Sequence, residues 1–120
     1  MLDFLESWIA KVNNAHKSDR QSCSIFQKYF HGFYSAELLS SSYFVIVEKL
    51  PKPDSPELRE LGLGDFIDTN FDGITYKNTY YLRPHAASNL RIHFHELVHV
   101  LQWRELTPGG FIRKRPVNPS

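Results

Sequence analysis

The segment from Ser88 to Glu105 constrains this chain more than any other. Ile92, Phe94, Leu97, Val98, Val100 and Leu101 recur at helical spacing and leave little of the helix circumference polar. The pattern predicts a long, buried helix over about 88–105, capped by Ser88 or Asn89. The same segment carries His93, His95 and His99, three of the six histidines, and Glu96. Imidazoles and a carboxylate placed in an apolar interior need partners, because unpaired polar burial is costly.

His95-Glu96-Leu97-Val98-His99 has the form H-E-x-x-H. Four residues advance an α-helix about 40° past one full turn, so His95 and His99 project from one face, one turn apart. Both imidazoles can then meet one Zn²⁺, which is the expected cofactor. Glu96 lies about 100° from His95 around the axis. From there its carboxylate reaches a water beside the metal, as a general base and then a general acid. Zinc binding requires neutral imidazoles, so affinity is expected to weaken on acidification.

Elsewhere the chain reads as helices, then strands, then this helix, which predicts an α+β fold. Leu2, Leu5, Ile9 and Val12 mark an amphipathic helix over about 2–15, and a second is expected from Ser18 or Asp19 to about His31. A short helical turn is expected at Ser35–Leu39. Tyr43–Leu50 is β-branched and aromatic, ends at Pro51 and predicts a central strand. Ser55 is expected to cap a short helix through Leu61, with Gly62 and Gly64 breaking the chain and Phe66–Thr69 forming a short strand. Gly73–Leu82 predicts a hairpin turning at Lys77-Asn78, where Asn78 tolerates the left-handed conformation. In that register Tyr76 faces Thr79, Thr75 faces Tyr80 and Ile74 faces Tyr81. The chain is read as one domain over 1–120, with a helical part at about 1–40, sheet and site helix at about 43–106, and a short tail from 107 to 120 bearing Arg113-Lys114-Arg115.

Composition narrows the function classes. Fourteen Lys and Arg against thirteen Asp and Glu leave a formal charge of +1, without the concentrated basic footprint of a nucleic-acid binder. The single cysteine, Cys23, excludes an intrachain disulfide framework and reads as ordinary packing. No apolar run approaches the roughly 20 residues of a membrane span, and the first residues lack the pattern of a signal peptide. A soluble, cytoplasmic protein is expected, with no nucleic-acid or membrane partner.

His95–His99 followed by Val100-Leu101-Gln102 resembles the zincin-type zinc metallopeptidases, closest to small bacterial families reading H-E-L-x-H-V-x-Q, including peptidase domains associated with contractile injection systems. Ile74–Leu82 resembles the hairpin that precedes the site helix in those families, so the likeness covers about residues 66–112. It implies a minimal zincin-like fold and hydrolysis of peptide bonds in a peptide or protein substrate, with His95 and His99 on zinc and Glu96 catalytic. It places Tyr76–Leu82 at the rim where substrate pairs by strand addition, and Tyr80 or Tyr81 near the oxyanion, although cross-strand packing explains both tyrosines too.

A catalytic zinc takes three protein ligands and a water. Glu105, six residues after His99, stands where metzincins place the third, but Gln102 replaces their intervening glycine. A straight helix aims Glu105 about 120° away from His99, so its ligation needs a break around Trp103. Gln102 lies on the ligand face and is expected beside a ligand or substrate. His85, Asp72 and Glu57 stay open as ligands, as does completion of the sphere by a partner chain or further waters, whereas His93 points about 160° from His95 and the same helix turn cannot deliver it. The rival readings are a non-catalytic metal-binding or interaction module within a homo-oligomer or larger complex, and a metal-free structural domain.

Overall fold

The computed structural model describes residues 2–107 and 111–112. Helix α1, Leu2–Ala15, has the expected bounds. The second expected helix does not form as one piece. Gln21–Ser22 make a short strand, β1, which pairs antiparallel with β2, Tyr43–Ile46. Ser22 then caps a 3₁₀ turn, Cys23–Phe26, accepting a hydrogen bond from Ser24 N at 3.1 Å, and only Gln27–Phe30, α2, are α-helical. Pairing with β2 and the serine cap together override the helical pattern there. Ser35 caps α3, Ala36–Ser40, at the expected place.

β2 is central in a sheet ordered β1-β2-β4-β3, and it runs parallel to β4, Thr79–Leu82. Between β2 and β3, Gly73–Tyr76, the chain forms α4, Pro56–Leu58, capped by Ser55, and α5, Gly64–Asp68. The predicted strand at Phe66–Thr69 is therefore corrected to a helix. Gly62 turns the chain at a φ of 95°, a conformation that favours glycine. Lys52 Nζ then donates to the carbonyls of Phe66, Ile67 and Thr69 at the end of α5, which satisfies groups a short helix leaves open.

The β3–β4 hairpin has the expected register, with Tyr76 opposite Thr79, Thr75 opposite Tyr80 and Ile74 opposite Tyr81. The left-handed residue of its turn is Lys77, at a φ of 62°, and not Asn78. Asn78 is held by the chain around β2: its carbonyl accepts from Tyr43 N at 2.8 Å and its amide donates to Ser41 O at 3.3 Å.

The period-two alternation of the strands divides the core into two clusters. Phe44, Tyr80 and Leu82 pack with Phe26, Phe30, Leu38, Leu97 and Val100, and so bind the sheet to α6, Leu90–Arg104. Val45 and Tyr81 pack with Ile9, Leu50 and Tyr76 on the α1 side. Two strongly apolar strands need cover on both faces, and the helices supply it. The fold is α+β. No described helix is long and apolar enough to cross a membrane. The Arg113-Lys114-Arg115 cluster lies outside the described residues.

Candidate metal centre

Helix α6 begins where expected, with the Asn89 side chain accepting from Arg91 N and Ile92 N at 3.0 and 3.3 Å. It is not buried all round. His93, Glu96, Leu97 and Val100 face the sheet, while His95, Val98 and Leu101 are exposed and His99 is half-buried. One side lies on β3 and β4 and the other opens to solvent, so an apolar surround over-predicts burial here. The opening is a cavity of about 590 Å³ lined by His95, Glu96, His99, Gln102, Trp103 and, from β3, Thr75 among others.

Within it the two imidazoles meet edge to face, with Nε2 of His95 and Nε2 of His99 3.2 Å apart. His99 Nδ1 lies 2.7 Å from Gln102 Oε1. An amide oxygen only accepts, so Nδ1 carries the hydrogen and Nε2 keeps its lone pair. That is the tautomer a metal ligand needs, oriented in the way ligating histidines are oriented. With His99 Nε2 as acceptor, the 3.2 Å contact is a hydrogen bond donated by His95 Nε2; two nitrogens bound at about 2.0–2.1 Å to one tetrahedral zinc stand roughly 3.3 Å apart, so a divalent ion replacing that proton would need little movement of the rings.

Glu96 is 5% exposed and its Oε1 accepts a hydrogen bond of 2.6 Å from Thr75 Oγ1. Gly73 leaves the space beside the other oxygen: a Cβ there would come within 3.0 Å of Oε2 and 2.5 Å of Leu82 Cδ2. The carboxylate is thus pinned by one oxygen, at the wall of the cavity that holds both histidines. Trp103 also lines the cavity, its indole Nε1 donating to Thr75 O at 3.0 Å.

No family model, curated protein or solved structure matches this chain.

Several expected site residues stand elsewhere. α6 continues unbroken through Trp103 to Arg104, and Glu105 is its C-cap, outside the cavity. The break that would let Glu105 reach the histidines is absent. Among the described residues no group of three or more His, Cys, Asp and Glu is arranged to hold a metal. Tyr80 and Tyr81 do not reach the cavity; both are 0% exposed, and β4 is an inner strand, so β3 is the edge beside the site. Tyr81 donates to Asn13 Oδ1 at 2.6 Å, and Tyr80 Oη lies 2.7 Å from His93 Nδ1.

His93 is a core residue. Its Nε2 donates to Ala87 O at 2.8 Å, so Nδ1 accepts from Tyr80, whose oxygen in turn accepts from Cys23 Sγ at 3.5 Å. This chain of three buried groups ties the 3₁₀ turn, β4 and α6 together, and burial pushes the Cys23 thiol up to about 12 and holds His93 below its ordinary range. His85 pairs with Asp72 Oδ1 at 2.8 Å on the surface, away from the imidazoles. Sequence reasoning missed Thr75 and Trp103. The hairpin register put Thr75 on the Tyr80 face, the face that meets α6, and that was the available signal.

Proposed function

We propose that His95 and His99 bind one zinc ion and that the site hydrolyses peptide bonds, as a small zincin-like metallopeptidase. The observation that carries the reading is the pair of Nε2 atoms 3.2 Å apart with the Glu96 carboxylate in the same cavity. His95 and His99 would hold the zinc, which would supply a Lewis acid beside Glu96. His99 is oriented for ligation by Gln102. Glu96 is held through Oε1 by Thr75, which leaves Oε2 to take the proton of the attacking water and deliver it to the departing amine. The low exposure of Glu96 strengthens both transfers by excluding bulk solvent.

The test is a pair of measurements on the purified chain. Wild type is expected to retain one zinc per chain on dialysis and to cleave an unfolded protein such as reduced casein. Glu96→Gln is expected to retain zinc and lose cleavage. Wild type that holds zinc and cleaves nothing, across a panel of unfolded substrates, overturns the hydrolase.

One observation favours a second reading. Only two protein ligands converge among the described residues, and a structural or partner-completed metal site also begins from two histidines. In that reading the helix retains its metal without catalysis, within a larger assembly. Zinc binding that tightens on adding a partner, with Glu96→Gln indistinguishable from wild type, is its signature.

A further inference from the structure

A second cavity of different chemistry shares the Phe71 wall. Its volume is about 490 Å³, and Phe71 lines both it and the cavity of His95 and His99. Its walls carry Lys49, Lys52, Arg59 and Arg83 against Glu48, Asp54 and Asp68. Most of these charges are already engaged. Arg59 grips Asp54 through Nε and Nη2 at 3.0 and 3.1 Å, and Asp68 through Nη1 and Nη2 at 3.0 and 2.9 Å. Lys52 is tied to the carbonyls at the end of α5.

Arg83 is different. It makes no ion pair among the described residues, and its Nε is a buried donor without an acceptor, the one such side-chain atom found among them. Its backbone is fixed directly after β4, where its N–H donates to Asp72 O at 3.0 Å. Nε is closed off from solvent, so an incoming ligand meets the Nη1 and Nη2 end of the fork, which makes no side-chain hydrogen bond among the described residues and still needs an acceptor. A carboxylate supplies two acceptor oxygens in the plane that the guanidinium fork matches. It also fits the charge of the cavity. Four cations against three anions leave one positive charge, which a monoanion neutralises and a phosphate dianion overshoots beside Asp54, Asp68 and Glu48.

We propose that Arg83 is a carboxylate-binding residue, and that its cavity takes the C-terminal or acidic side-chain carboxylate of a peptide that passes over Phe71 toward His95 and His99. The direction of the peptide rests on the peptidase reading; carboxylate capture does not.

The test is a binding titration of the metal-free full chain, followed by amide chemical shifts. Three acetylated pentapeptides are compared: one with a free C-terminal carboxylate, the same peptide as its C-terminal amide, and that amide with an internal glutamate. At least one carboxylate form is expected to bind about tenfold more tightly than the neutral amide, the scale of one charge-assisted pair. Whichever form gains identifies the carboxylate's source. Arg83→Met is expected to abolish the difference and Arg83→Lys to restore part of it, with thermal midpoints showing that each variant folds; if Arg83→Met does not fold, a weakened preference in Arg83→Lys carries the test. Equal affinities for all three peptides in wild type, a preference that survives Arg83→Met, or tighter binding of inorganic phosphate than of acetate overturns the proposal. None of these readings needs zinc or cleavage, so failure of the peptidase is seen separately, as absent hydrolysis with the carboxylate preference intact.

Discussion

Thr75 Oγ1 donates a 2.6 Å hydrogen bond to Glu96 Oε1, across 21 residues of sequence, and both side chains are buried. The bond joins the sheet edge to the helix that carries the histidines. It also distinguishes the two carboxylate oxygens: Oε1 accepts from Thr75, and Oε2 lies beside Gly73.

Removing that donor is expected to disturb Glu96 and leave the histidines alone. Thr75→Val conserves shape but strips a buried carboxylate of its partner, at a cost of about 1–3 kcal/mol in urea unfolding. For hydrolysis the expected change is a fall in kcat with little change in KM or zinc affinity, and Thr75→Ser is expected to restore kcat. Equal loss in both variants contradicts a role for the hydroxyl.

Zinc affinity is expected to rank the helix residues. His95→Ala and His99→Ala each remove a nitrogen of the pair and should abolish stoichiometric zinc at micromolar concentration in equilibrium dialysis. Gln102→Ala removes only the acceptor at His99 Nδ1 and should weaken zinc about 10- to 100-fold, as loss of an outer partner does. Glu105→Ala should leave affinity unchanged, because Glu105 caps the helix outside the cavity.

Gly73 has no room for a side chain. A methyl group there meets Leu82 and Glu96 Oε2, so Gly73→Ala is expected to destabilise the fold by about 1–3 kcal/mol, in the manner of an overpacked core. The comparison is chemical unfolding against Gly64→Ala, where nothing lies within 4 Å of the added carbon.

The Cys23–Tyr80–His93 chain predicts an alkaline limit. Burial raises Cys23 from its ordinary value near 9 to about 12, and Tyr34 and Tyr81 from 10 to about 12. The folded chain therefore holds these protons more tightly than the unfolded chain does. Their contribution to stability is intact below about pH 9 and is lost as pH rises toward 12. Urea midpoints measured from pH 8 to 11 should fall, and the fall should be shallower in Cys23→Ala. In the native state at pH 8 the Cys23 thiol should react with a disulfide reagent far more slowly than in urea.

Features that arise within a few residues of chain were legible from the residues alone. His95, Glu96 and His99 share a turn of one helix because an i, i+4 interval leaves no other arrangement once the helix forms. The hairpin register follows from a two-residue loop and period-two alternation, and α1 from its spacing of apolar residues. The remainder depends on contacts between distant elements. β1 and the 3₁₀ turn replaced a predicted helix because β2 was there to pair with Gln21 and Ser22. Phe66 and Ile67 became helical where Lys52 caps their carbonyls. Tyr80 and Tyr81 sank into the core because β4 acquired β2 as a second neighbour. The pairing of Thr75 with Glu96, and the orphan Nε of Arg83, depend on which residues the fold brings opposite one another. Those contacts are set by the packing of whole elements, which no short window of sequence encodes.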